Sequence, residues 1–142
     1  MVGGGAVSAP ASLLVLASAI RDVDETEPLG VSIQLGTTLP SAANLREHHL
    51  ARAKRVKKWR SVGWWALSVA MGLRAKSGPL VLLLTRVAPR PLDDDNLASA
   101  FKAFRDGVAD VLGVDDRDPR VTWLYAQRKG PAAVELGVWR RR

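Results

Sequence analysis

Apolar and polar positions change period several times along this chain, and each change marks an element. Val31, Ile33 and Leu35 alternate with Ser32, Gln34 and Gly36, which predicts a half-buried strand over Gly30–Leu39, ended by Pro40. Leu45, His49, Arg52, Val56 and Trp59 recur at helical spacing and predict a helix from Leu45 to about Arg60. Gly63 is placed to kink or break it before a more apolar helix, Trp64–Arg74. Pro79–Ala88, PLVLLLTRVA, is a nearly continuous apolar run, the pattern of a central strand covered on both faces. Leu97, Phe101, Phe104, Val108 and Val111 then follow the stripe of an amphipathic helix over Asn96–Leu112. Asp95 or Asn96 can cap that helix and Gly113 can stop it. Two more strands are expected, about Arg120–Arg128 and Ala132–Trp139, with Lys129-Gly130-Pro131 turning between them as a hairpin.

The order β-α-β-α-β-β predicts an α+β (mixed α/β) fold: a small mixed β-sheet of about four strands with two main helices. At 142 residues one domain is expected, long enough for a single core. It should occupy residues 30–142, with 1–29 as an N-terminal extension. Met1–Pro10 is rich in Gly and Ala, Ala11–Ile20 can form a short helix, and Asp22–Pro28 reads as an acidic linker. The extension is either a loose tail or a helix packing Leu13, Leu14 and Leu16 on the body or on a second subunit.

Charge changes the picture. The chain carries 21 Lys and Arg against 14 Asp and Glu, a net charge of +7, which favours nucleic acid or an anionic surface as partner. Between Asn44 and Lys76 stand nine basic residues and the single acid Glu47. A helix stabilised only by its own surface charges would mix signs. Phosphate neutralisation explains the bias better than a solvated face does. Arg46, Arg52, Lys54, Arg55, Lys57, Lys58 and Arg60, with Arg90 further on, are the candidate DNA-binding residues. Trp59, Trp64 and Trp65 read as core packing rather than base-stacking platforms. His48 and His49 are adjacent, so a helix points them in different directions, which argues against a shared catalytic or zinc role. The lack of cysteine excludes disulfides, thiolate metal sites and thiol nucleophiles, and fits a cytosolic setting. No stretch is apolar for long enough to span a bilayer, and no Lys or Arg precedes the apolar run Ser12–Ile20, which argues against a secretion signal.

Against this basic background, Arg90–Val121 holds eight of the fourteen carboxylates: Asp93, Asp94, Asp95, Asp106, Asp110, Asp115, Asp116 and Asp118. Like charges this close repel unless a cation neutralises them. Mg²⁺, held by one or two carboxylates with water and phosphate oxygens completing its shell, is the natural candidate. One helix cap needs one acid, not three, so Asp93–Asp95 exceed a structural requirement.

The pattern D-x-D-N, then a helix carrying Lys and Asp, then D-D, here Asp93, Asp95, Asn96, Lys102, Asp106, Asp115 and Asp116, resembles the RusA-type Holliday junction resolvases of bacteria and their phages. Leu39-Pro40-Ser41, followed by Asn44, Arg46, Glu47 and His48, is similar to the Pro-Ser-x-Asn and Arg-rich opening of phage-type members. The likeness covers about Val31–Trp139. It implies that Asp93, Asp95 and Asp116 are the metal-binding carboxylates and Lys102 the catalytic lysine. In some members that lysine follows the D-N one turn along, whereas here it stands seven residues after Asp95. Two turns keep it on the same helix face.

The resemblance further implies a Mg²⁺-dependent endonuclease, with Mn²⁺ as an alternative ion, acting as a homodimer on four-way DNA in a bacterial cytoplasm or nucleoid, with a phage or prophage origin open. The competing reading is a non-enzymatic basic DNA-binding module whose acids are structural. The acids raise one geometric question. A helix of about 17 residues is on the order of 25 Å long, so Asp95 and Asp116 meet only if the chain folds back after Gly113 or a second subunit supplies one of them.

Overall fold

The computed structural model describes residues 26–41, 48–72, 78–115 and 117–141. Seven elements follow one another: β1 (Thr26–Leu35), α1 (His49–Met71), β2 (Leu80–Ala88), α2 (Asp94–Ala100), α3 (Lys102–Leu112), β3 (Val121–Lys129) and β4 (Ala133–Arg141). The strands form one mixed sheet in the order β1-β4-β2-β3. β2 runs parallel to β3, and β4 lies antiparallel to both β1 and β2. The fold is the mixed α+β architecture that the pattern predicts.

β2 is the centre, and all nine of its residues are buried. Leu80, Leu82 and Leu84 point into the main core with Leu136, Val138, Trp59, Phe101 and Phe104. Val81 and Leu83 point the other way, where they meet Trp139. On that second face Glu135 of β4 is buried and forms an ion pair with Arg128 of β3.

α1 and α3 cross at closest range where each has a glycine. A Cβ on Gly63 would lie 2.0 Å from the Phe104 carbonyl oxygen, and one on Gly107 would lie 1.9 Å from the Arg60 carbonyl oxygen. Gly30 does the same for α1 on the sheet, where a Cβ would lie 1.9 Å from the Ala70 carbonyl oxygen. Gly63 therefore does not break the helix, contrary to the sequence-based expectation. α1 runs through it without interruption for 23 residues, because the missing side chain serves close packing.

Three further expectations are corrected. The predicted hairpin does not form: β3 and β4 flank β2 on opposite sides and do not pair. Their short connection steps across the carboxyl end of β2, where the Gly130 N–H donates to the Ala88 carbonyl at 3.2 Å. Two strand spacings are about 9.6 Å, which three residues span easily. The long helix predicted over Asn96–Leu112 is divided at Phe101, whose N–H is shared between the Leu97 (3.3 Å) and Ala98 (3.2 Å) carbonyls while its ring is fully buried. The first strand begins at Thr26 rather than Gly30. Pro28 is tolerated there because β1 is an edge strand, with an irregularity between Pro28 and Gly30. The helix expected over Ala11–Ile20 lies outside the described residues.

Candidate functional site

The acidic turn leaves the carboxyl end of β2 and is held by two side chains that the sequence pattern left unassigned. Arg86, a lone charge in an apolar strand, is buried; its Nε donates to the Leu39 carbonyl (2.9 Å) and its Nη1 to the Arg90 carbonyl (2.9 Å). Burial pulls its guanidinium below the usual arginine value. Gln127 of β3 brackets Leu92, accepting its N–H (2.9 Å) and donating to its carbonyl (2.6 Å). Both ends of the turn before Asp93 are thereby fixed to the sheet.

Asp93 is the cap of α2, its Oδ1 accepting the Asn96 N–H at 2.9 Å. Asp94 and Asp95 fill the first turn, and all three carboxylates are exposed. At 3.6 residues per turn, Asp95, Ser99, Lys102 and Asp106 share one stripe along α2 and α3. Lys102 Nζ bonds Asp106 Oδ1 at 2.9 Å. Ser99, Lys102 and Asp106 line a cavity of about 590 Å³, together with Arg52, Arg55 and Trp59 of α1 and Arg105 and Tyr125. Asp95 stands one helical turn, about 6 Å of rise, beyond Ser99. Arg105 and Tyr125 carried no sequence signal; their roles arise from pairing, because Arg105 Nη1 donates to the Tyr125 hydroxyl (2.8 Å) and the guanidinium lies 4.7 Å from the Trp123 ring.

The remaining candidates separate. Arg52, Lys54, Lys57 and Lys58 are exposed on α1, Arg55 is half-buried, and Arg90 is exposed. The described part of the helix, His49–Met71, has no acid at all. Arg60 is exposed but tied to α3, with Nε and Nη2 making a forked pair with Asp110 at 2.7 and 2.8 Å. That hydrogen bond holds the Asp110 carboxyl below its usual range, so its contribution is present at neutral pH and lost as pH falls through the depressed value. Exposed pairs of this kind contribute at most about 1 kcal/mol. Trp59 is buried as expected, with Lys58 Nζ 5.3 Å from its ring. Trp64 (42% exposed) and Trp65 (64%) are not core residues, and form an edge-to-face pair on the surface. His48 caps α1 through Nδ1, which accepts the Leu50 N–H. Arg46 and Asp116 lie outside the described residues.

The seven described acids of this stretch do not converge on one point. Asp106 and Asp110 hold Lys102 and Arg60, and Asp118 holds Arg120 at 2.7 Å. Val121 pairs with Leu80 at the amino end of β2, and the turns through Asp115 and Asp118 lead directly into it. Asp115 thus stands at the amino end of the central strand and Asp93–Asp95 beyond its carboxyl end. Nine residues of strand separate the two, about 26 Å for the eight steps of 3.3 Å between them. Among the described residues no three His, Asp or Glu side chains gather into a metal cage.

Arg120 forks onto Asp118 and donates its own N–H to it, which pulls the Asp118 carboxyl down to about 2. A depressed carboxylate stabilises the loop above its unfolded pKa and loses that contribution as pH falls through the folded one. We expect the Asp118 carboxyl resonance to titrate near pH 2 by NMR. A midpoint near the ordinary value of about 4 would show the fork open in solution.

No family model matches the chain. An uncharacterized protein of Xylella fastidiosa is 37% identical over 101 residues, covering 62% of this chain and 64% of the relative. The chain thus spans less than two thirds of the length of that relative. Thiamine-monophosphate kinase from Stenotrophomonas maltophilia K279a aligns over 84% of this chain and 32% of its own, at 15% identity and a TM-score of 0.40. No helix among the described residues is long and apolar enough to cross a membrane.

Proposed function

We propose that this protein is a Mg²⁺-dependent structure-specific endodeoxyribonuclease of the RusA type that nicks four-way DNA during recombination, repair or phage DNA processing. The observation that carries the reading is the exposed Asp93–Asp95 turn, firmly braced by Arg86 and Gln127, one helical turn from a cavity walled by Arg52, Arg55, Lys102 and Arg105. Two carboxylates on one turn fit Mg²⁺, which takes one or two carboxylates and completes its shell with water and phosphate oxygens. Bound there, the ion would supply an activated water and charge neutralisation at the phosphate. Asp93 and Asp95 would hold it, Asp94 would orient its water shell, and Lys102, steadied by Asp106, would balance charge on the scissile phosphate. Arg52, Arg55, Lys57 and Lys58 would bind flanking phosphates.

The distance between the two ends of β2 bears on Asp116, whose neighbour Asp115 stands at the far end. A two-fold homodimer in which each subunit lends its Asp115–Asp116 end to the partner's Asp93–Asp95 end supports two cutting centres for two opposed strands. The rival, a non-catalytic binding module, draws support from the structural ion pairs of Asp106, Asp110 and Asp118. Incubating a fixed four-way junction with the protein in Mg²⁺ or in EDTA separates the two. Paired nicks in Mg²⁺ alone support the nuclease, and an intact junction in both leaves the binding module.

Binding is expected to be salt-dependent through α1. Lys57→Gln with Lys58→Gln should weaken affinity for any DNA sequence and reduce the slope of log K against log salt by roughly one to two. An unchanged slope would place the DNA face elsewhere.

A further inference from the structure

We infer that β3 is the edge through which two copies of this chain join, antiparallel about a two-fold axis at Tyr125, so that each copy's Asp115–Asp116 turn meets the other's Asp93–Asp95 turn. The inference rests on the shared-site reading above and gives it an interface. Two copies then form one continuous sheet of eight strands, twice the four of a single chain.

The two edges of the sheet differ. β1 carries Pro28 and an irregularity between Pro28 and Gly30, two devices that discourage a further strand. β3 has neither. Its nine residues keep one unbroken register along β2, from Val121 beside Leu80 to Lys129 beside Ala88. Val121–Gln127 is uncharged, and only Arg128 and Lys129 at its carboxyl end carry charge. The Leu80 N–H donates to the Arg120 carbonyl at 2.8 Å and the Gly130 N–H to the Ala88 carbonyl at 3.2 Å. Even-numbered residues of β3 therefore turn their backbone groups to β2. Trp123, Tyr125 and Gln127 turn theirs the other way, where no strand among the described residues pairs with them. A long, uncharged row of such groups is a template for another strand.

A second copy fits this edge because the strand complements itself. With Tyr125 opposite its twin all nine residues pair: Val121 with Lys129, Thr122 with Arg128, Trp123 with Gln127 and Leu124 with Ala126. No like charges stand opposite one another, and a large side chain meets a small one. Leu124 and Ala126 are half-buried and already pack against Val81, Leu83 and Trp139, so the partner's pair extends that apolar patch. The strand ends match in charge as well. Lys129 of one copy comes beside Val121 of the other, shortly after the acidic run Asp115-Asp116-Arg117-Asp118.

This pairing closes the gap between the acids. Within one chain the two ends of β2 lie about 26 Å apart. Across the joint, Val121 stands beside the partner's Lys129, which stands beside the partner's Ala88. Those two strand spacings amount to about 9.6 Å. The Asp118 carbonyl accepts the Val121 N–H and the Asp115 carbonyl accepts the Asp118 N–H, two turns that keep the acidic run at the start of the strand. Asp93 follows Ala88 by five residues, on the turn held by Arg86 and Gln127. A joint through β1 would instead leave the two copies of β2 five strand spacings apart, about 24 Å.

The chain has no cysteine, so a disulfide forms only between introduced ones. In this register Leu124 and the partner's Ala126 are a non-hydrogen-bonded pair with Cα atoms about 4.5 Å apart, a distance a disulfide spans. Leu124→Cys and Ala126→Cys chains are co-expressed, purified under reducing conditions, oxidised with copper phenanthroline and run on a non-reducing gel. The pair should give roughly tenfold more covalent dimer than either variant alone, whose like positions lie farther apart across the axis. Analytical ultracentrifugation of the wild type should show a dimer. A monomer at every concentration, or a dimer whose cysteine pair does not crosslink, overturns the β3 joint. Equal crosslinking by Leu124→Cys alone overturns the register. Adding Asp95→Asn to one chain and Asp116→Asn to the other fixes the composition of the crosslinked dimer, which should nick a four-way junction in Mg²⁺ although neither parent does. An inactive mixed dimer beside an active one with all its acids overturns the meeting of the two turns. Nicking without crosslinking removes the joint and leaves the nuclease reading. Crosslinking without nicking by a dimer that keeps all its acids removes the nuclease reading and leaves the joint.

Discussion

Asp95→Asn is expected to leave a four-way junction uncut in Mg²⁺ while binding it as tightly as the wild type or more so. The amide keeps the size of the side chain and its place in the first turn of α2. It removes a negative charge that would otherwise face both the ion and the substrate phosphates. Changing groups that merely orient a metal ligand costs roughly 10- to 100-fold. Losing a ligand directly should therefore cost at least about a hundredfold in nicking rate. Near-normal cutting by the variant would exclude Asp95 as a ligand. The same variant tests the shared site. Mixed with an Asp116→Asn protein under conditions shown to exchange subunits, it should recover nicking, because one centre per heterodimer then keeps both acids. A mixture as inactive as its parents would place each centre within a single chain.

Gly107→Val is expected to have the largest effect on stability. A Cβ at this position would lie 1.9 Å from the Arg60 carbonyl oxygen and 2.9 Å from the Trp64 nitrogen. Both are backbone atoms of α1, so no side chain can swing aside and the helices must separate. Overpacking of this kind costs roughly 1–3 kcal/mol and occasionally more. The upper end is expected here, with a fall of about 10 °C in the thermal midpoint. Gly113→Ala is the comparison: its φ of +67° favours glycine, yet no atom lies within 4 Å of an added Cβ. It should cost only about 1 kcal/mol. A midpoint for Gly107→Val within 2 °C of the wild type would mean that the helices cross at a wider distance than described.

Local patterning was legible and tertiary pairing was not. The run LVLLLTRVA reads as a strand covered on both sides, and it is the central one, because continuous apolarity is what double burial requires. The Leu97, Phe101 and Phe104 stripe faces the core as its period demands. Arg86 was visible as the one charge in that strand. Its partners, the carbonyls of Leu39 and Arg90, come from distant loops that no spacing encodes. Gly63 was read by local propensity, which sees only a weak helix former, whereas its use is a contact with Phe104 on another helix. The hairpin failed for a similar reason: a short Gly-Pro turn between two strands is compatible with straddling a third strand already in place. Trp64 and Trp65 were assigned to the core by hydrophobicity alone, and the helix turns them outward. The separation of the acids was legible, because one long helix between Asp95 and Asp116 already set them apart; the β2-α2-α3-β3 crossover leaves Asp93–Asp95 beyond the carboxyl end of β2 and Asp115 at its amino end.

The position of β4 has a consequence for the order of folding. β1 has a single neighbour, in which Leu35 meets Ala133 and Thr26 meets Arg141, partners about a hundred residues apart. Closing so long a loop brings no reward until β4 has itself docked on β2, so the transition state should contain β2, β3 and the helices, with β1 zipping on afterwards. Substitutions in β1, such as Val31→Ala, should then speed unfolding while leaving the refolding rate almost unchanged, whereas Leu82→Ala in β2 should slow refolding.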